Sequence, residues 1–248
     1  MILSVRHGFI LVRARKVAGT SVEMALSTLC GGADIVNPMI APDELRRQRM
    51  NGFCGNYSDN PAFEKAYIQR VLSAGPEELA ALPLPPANYR AHMTLREIAQ
   101  RYPGPIAGFR VICVERDPYA KIISALTMQQ GFSDYARLGE MRASTDAMAA
   151  AFDRMAASGG LQHLRSLDFY RDASGAIVAE PLRYEHLQSD FDAFLRSIGI
   201  THAVPLPHAK KGMMANGIDP ARIFRRDQID TINRLFAEEF ERFGYRRL

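Results

Sequence analysis

Unbroken apolar runs alternate along this chain with segments in which apolar residues return every three or four positions. Phe9 to Val12 (FILV) is a short apolar run with the character of a buried strand. Beyond a polar stretch, Val22, Met24, Ala25 and Leu29 recur at near-helical spacing until Gly31 and Gly32 stop them. Asn51 to Asn60 is rich in Gly, Asn and Ser and reads as a surface excursion, followed by one or two helices over Pro61 to Leu82. A short helix is expected over Met93 to Tyr102, and Ile106 to Glu115 is the second strong strand candidate. A helix follows from Pro118, whose fixed φ suits a first turn, to about Gln130. Ser144 to Ala157 reads as a capped helix and Phe169 to Leu182 as a hairpin around Asp172 to Gly175. Leu187 to Ile198 and Asp227 to Phe243 carry amphipathic spacing. Strands alternating with helices predict an α/β fold with a mainly parallel sheet.

Composition narrows the classes. At 248 residues and 47% hydrophobic content, the chain can bury one good-sized core. Its 23% of charged residues is ordinary for a folded domain. The apolar runs are too short to span a membrane or to serve as a secretory signal. Cys30, Cys54 and Cys113 show no paired spacing, which argues against a zinc site or a disulfide framework; a cytoplasmic location is the simplest expectation. The net charge of +4 suits an anionic ligand. Arginines 46, 47 and 49, 225 and 226, and 246 and 247 are read as solvated surface rather than a nucleic-acid face, because no aromatic residues interleave with them.

The loop RARKVAGTS, Arg13 to Ser21, lies between the first strand and its helix. Unpaired N–H groups and the dipole at a helix start favour phosphate or sulfate. Gly19 permits close backbone approach, Thr20 and Ser21 offer hydroxyls, and Lys16 supplies a mobile positive charge. The common phosphate loop, GxxxxGK[ST], has its lysine directly after the last glycine; here Lys16 precedes Gly19 by three residues. A magnesium-dependent NTPase fits poorly. A second cluster, ERDPYAKIISAL, follows the second strand: Arg116 at the strand's C-terminal end and Ser124 about two turns into the next helix could grip one phosphate.

These two motifs resemble those of PAPS-dependent sulfotransferases (PAPS is 3'-phosphoadenosine 5'-phosphosulfate), particularly the branch holding the carbohydrate 2-O-sulfotransferases and bacterial relatives. That family carries a PKTAGTS-like loop for the 5'-phosphosulfate and a VRNPYDRLVSAY-like segment for the 3'-phosphate. AHMTLREI (Ala91 to Ile98), the segment Asp168 to Ile200 and the ending RLFAEEFERFGY are similar to further family elements, and residues 33–88 match least. The resemblance implies a single sulfotransferase domain over 1–248 with a phosphate-loop nucleoside-triphosphate-hydrolase-like fold. It implies no metal, and a variable 33–88 region shaping the acceptor site. Arg15, Lys16, Val17, Ala18, Gly19, Thr20 and Ser21 would bind the 5' end of PAPS, and Arg116 and Ser124 the 3'-phosphate. Departures are Arg15, Val17, Lys121 and Glu115, the last a carboxylate that competes for the Arg116 guanidinium.

By the same resemblance Lys16 and His92 are the catalytic pair: the lysine steadies charge on the leaving group and the histidine takes the acceptor hydroxyl's proton. His163 and then Glu97 are the reserve bases. Lys210 and Lys211 either close over the 3'-phosphate or form an exposed basic loop. Arg183 either serves the site or pairs with Glu185 or Asp190. A carbohydrate hydroxyl is the favoured acceptor by analogy, with no nucleic-acid partner expected. A magnesium-dependent kinase and a non-catalytic nucleotide-binding protein are the rival readings.

Overall fold

Gly8, at φ 64, lets the chain turn back on itself, so the strand at Phe9 has a partner immediately before it in sequence. In the computed structural model, which describes residues 1–129, 145–207 and 219–248, β1 (Ile2–Ser4) pairs antiparallel with β2 (Phe9–Val12), Ile2 facing Leu11. A four-residue connection can only join antiparallel strands. β3 (Ile35–Val36) adds antiparallel to the other edge of β1, while β4 (Arg110–Glu115) lies parallel to β2, Leu11 facing Ile112. With β5 (Glu180–Arg183) the order is β3-β1-β2-β4-β5.

Among the described residues the fold is therefore α/β with a five-stranded mixed sheet, not the mainly parallel sheet expected. The error lies in β1 and β3. Strands of three and two residues are too short to display a period. The central strands are buried along their length, as strands covered on both faces are.

The helices follow the apolar spacing with some revisions. α1 is Gly19–Ser27, three residues longer at its start than its periodicity indicated. α2 (Ala41–Arg49) was not expected, since its APDELRRQR carries almost no apolar stripe. Pro61 to Leu82 divides into α3 (Pro61–Ser73) and α4 (Pro76–Ala81), followed by α5 (Leu95–Arg101), α6 (Pro118–Gln129) and α7 (Thr145–Ala157). The expected hairpin is a turn, bridged between Arg171 and Ile177, whose first arm is the helical α8 (Leu167–Tyr170). α9 is Leu187–Ser197, and the last predicted helix breaks at Phe236 into α10 (Arg226–Leu235) and α11 (Ala237–Phe243). Among the described residues no helix is long and apolar enough to cross a membrane.

The contacts divide the chain into two compact units: residues 1–13, 19–114 and 169–209, and residues 14–18, 115–168 and 210–248. The first holds the sheet and a buried ionic cluster. Arg47, assigned to the solvated surface from sequence, is instead fully buried. Its Nε donates to Glu44 at 3.0 Å, its Nη1 to the Asn37 carbonyl at 3.0 Å, and its guanidinium lies 3.7 Å from Glu23. Glu23, also fully buried, accepts from Arg13. Burial alone would push the Glu23 carboxyl up, but the Arg13 guanidinium, with Arg47 beside it, holds it below its ordinary value. The second unit packs Tyr119, Ile122, Leu126, Phe152, Phe236 and Phe240 into its own core.

Two outcomes follow from the ionic cluster. Arg47→Leu leaves Glu23 and Glu44 short of a buried partner and should cost about 3–5 kcal/mol in urea unfolding. Because Glu23 titrates lower in the folded state, its contribution is complete above the ordinary glutamate value of about 4.3 and is lost as the pH falls from there through the lower folded-state value. Glu23→Gln should accordingly lower stability at neutral pH and flatten the acid limb of the stability profile.

Candidate functional site

β2 ends at Val12, and α1 starts at Gly19, so Gly19, Thr20 and Ser21 form the first turn of a helix directly behind the loop. Their N–H groups have no carbonyl one turn earlier to bond. The loop is held in an uncommon backbone form: Lys16 and Ala18 both have φ 63, in the left-handed region that residues with a Cβ rarely occupy. Such positions persist only where the surroundings fix them, and they gather at binding sites. The Val17 side chain supplies the anchor, being buried while Arg15 is exposed and Lys16 and Ala18 half-buried. A turn of this kind before a helix can present successive N–H groups to an anion.

Arg13, which opens the loop with no role assigned to it there, and Glu23 organise the helix start in the first unit. The Arg13 guanidinium is paired to Glu23, and its Nη2 donates to Thr20 Oγ1 at 3.4 Å. Its aliphatic stem crosses Gly19, where an added Cβ would lie 2.7 Å from Arg13 Cγ. The missing side chain at Gly19 thus makes room for Arg13, a packing reason beside the expected close approach of a ligand. The pairing of a strand-end arginine with a glutamate ten residues on was available in the sequence, but it has no signal there without the fold.

His92 sits half-buried, with φ 60, just before α5 in the same unit. Its Nδ1 lies 3.1 Å from the Arg13 carbonyl oxygen. A carbonyl only accepts, so Nδ1 carries the hydrogen and the neutral ring has its lone pair on Nε2, as a base requires. Glu97 is occupied differently: its Oε2 accepts from the Thr94 N–H at 2.7 Å and the Thr94 hydroxyl at 2.9 Å, closing a capping box. The bond from the Thr94 backbone holds its carboxyl below the ordinary value, which disfavours it as a base. His163 is exposed on a short turn, Gln162–Leu164, of the second unit.

The second unit contains Lys16 together with Arg116 and Ser124. Lys16 Nζ lies 3.4 Å from Met128 Sδ, and Met128 is one turn beyond Ser124 on the same face of α6. Arg116 is buried at the C-terminal end of β4. The two departures at Glu115 and Lys121 answer each other: both are fully buried and paired at 2.6 Å. The same Glu115 oxygen accepts the Arg116 backbone N–H at 3.0 Å, so it fixes the chain at Arg116. Lys121 also donates to Ser166 and lies 5.8 Å from the centre of the Phe236 ring. Lys210 and Lys211 lie outside the described residues. Arg183 binds Asp190 through Nε at 3.0 Å and Nη2 at 3.1 Å.

Compared with known proteins, the chain matches no family model, no curated protein and no solved structure. The buried pair offers a direct check. Lys121→Met removes the cation paired with the buried Glu115, and should destabilise the protein by about 3–5 kcal/mol. The double variant Glu115→Val, Lys121→Met should recover most of that loss, read as the coupling in a double-mutant cycle by denaturant unfolding.

Proposed function

We propose that this protein is a sulfotransferase that moves a sulfuryl group from PAPS to an acceptor hydroxyl, with a carbohydrate as the favoured acceptor class. The observation that carries the reading is the meeting of Lys16 with the Ser124 face of α6, inside the unit that also holds Arg116. One anion motif suits many ligands. Two of them, a lysine loop at a helix start and a strand-end arginine with a helix serine, suit a nucleotide charged at both its 5' and 3' positions. The motif sequences RARKVAGTS and ERDPYAKIISAL support the same donor by their resemblance to that family.

PAPS supplies the transferable sulfuryl group when bound. Lys16 and the N–H groups of Gly19 to Ser21 would hold the 5'-phosphosulfate end and steady the charge that grows on the leaving oxygen. Arg116 and Ser124 would hold the 3'-phosphate and so set the donor's register. His92, with its lone pair on Nε2, would take the acceptor hydroxyl's proton. In-line sulfuryl transfer asks for positioning and charge stabilisation above all, which these residue types provide.

Isothermal titration with adenosine 3',5'-bisphosphate and with ATP, each with and without magnesium, tests the reading. The bisphosphate should bind more tightly and without need of the metal; tighter magnesium-dependent binding of ATP would point to a kinase instead. Lys16→Ala should weaken bisphosphate binding and lower turnover together, the latter by about a hundredfold. His92→Ala should leave bisphosphate affinity nearly unchanged while turnover falls by about a hundredfold or more. Wild-type binding without transfer to any screened hydroxyl acceptor would favour the binding-protein reading.

A further inference from the structure

Arg13 opens the loop RARKVAGTS without being assigned a role in holding the donor, yet it touches the candidate base and the start of α1 within one unit. Its carbonyl oxygen meets His92 Nδ1 at 3.1 Å. Its guanidinium is held by the buried Glu23 carboxylate and reaches the Thr20 hydroxyl. Its stem runs across Gly19 in the first turn of α1, filling the space of a side chain there. Two neighbours in the chain are in left-handed form, Lys16 and Ala18, and so is His92 itself, with φ 60. A histidine in that form has few ways of staying put, and a strand end entering a strained turn has little of its own to fix the peptide plane. The tether from Arg13 to Glu23 supplies what the backbone lacks.

We propose that Arg13 is a positioning residue: anchored by Glu23 across Gly19, it fixes its own carbonyl and thereby holds the His92 ring as the Nδ1–H tautomer with Nε2 basic. The side chain and the carbonyl of one residue thus join the helix start to the base. A free imidazole favours the other tautomer, so the arrangement has a distinct signature. For its effect on turnover the assignment rests on the sulfotransferase reading; for the state of the ring it does not.

The experiment is long-range proton–nitrogen NMR of the histidine rings in nitrogen-15-labelled full-length protein, with His92→Gln identifying the His92 signals. In wild type, above the pH at which the ring deprotonates, His92 should show a protonated Nδ1 and an unprotonated Nε2. Arg13→Met keeps an apolar stem over Gly19 but loses the tether, and the signal should move towards the Nε2–H form. Arg13→Lys, which restores a positive charge, should return it. Glu23→Gln weakens the tether from its other end and should shift the signal in the same direction, which keeps the test decisive if Arg13→Met does not fold. A wild-type ring found as Nε2–H overturns the assignment, as does a folded Arg13→Met or Glu23→Gln protein whose ring is unchanged. In the transfer assay, Arg13→Met should lower kcat by about tenfold to a hundredfold, the scale of a misplaced reacting group, with Arg13→Lys recovering most of it. Failure of the wild type to bind adenosine 3',5'-bisphosphate would count against the functional reading alone, since the tautomer is measured without ligand.

Discussion

A single carboxylate, that of Glu23, sets the terms for the sheet-bearing unit. It is fully buried on α1 and faces Arg13 from the end of β2 and Arg47 from α2. An isolated charge there would be expensive, so the elements that bring the two guanidinium groups must arrive in register or the core does not close. Three segments far apart in character, a strand end, an apolar helix and a helix almost without apolar residues, are tied at one point. The site inherits its geometry from this arrangement. The same arginine that satisfies Glu23 lies over Gly19, reaches Thr20 and offers its carbonyl to His92.

A second buried pair plays a comparable part in the other unit. Glu115 and Lys121 are both fully buried, and each satisfies the other at a cost that neither could meet alone. Their value is specificity of position. Glu115 bonds the Arg116 backbone N–H, so the residue at the end of β4 is held by the pair. A carboxylate next to an arginine proposed to bind an anion reads as a rival when taken one residue at a time. With Lys121 against it, its charge is matched locally, and its oxygen orients the chain. Each unit therefore holds a buried ion pair of its own, whose strength grows in surroundings from which water is excluded.

The strand–loop–helix order from Phe9 to Ser27, the strand ending at Glu115 and the helix from Pro118 were legible in the sequence, because unbroken apolar runs and fixed turns leave little choice of local form. The candidate loop and the Arg116–Ser124 spacing were legible for the same reason, since both lie within one turn or two of a strong element. The sequence offered Arg183 two nearby carboxylates, Glu185 and Asp190, and the fold brings it to Asp190.

What the sequence by itself determined is therefore local: which runs are strands, which are helices, and which polar residues stand at their ends. Tertiary structure decided the rest. It turned the sheet mixed through β1 and β3, strands too short to carry a period, and it buried Arg47, whose run of charged neighbours reads as surface. It matched Glu115 with Lys121 and made Arg13 the neighbour of His92, seventy-nine residues away. Periodicity records how a segment divides between apolar and polar surroundings, and that is a property of the segment. A buried charge is permitted only by the particular partner that meets it, and partners of that kind are chosen by the fold.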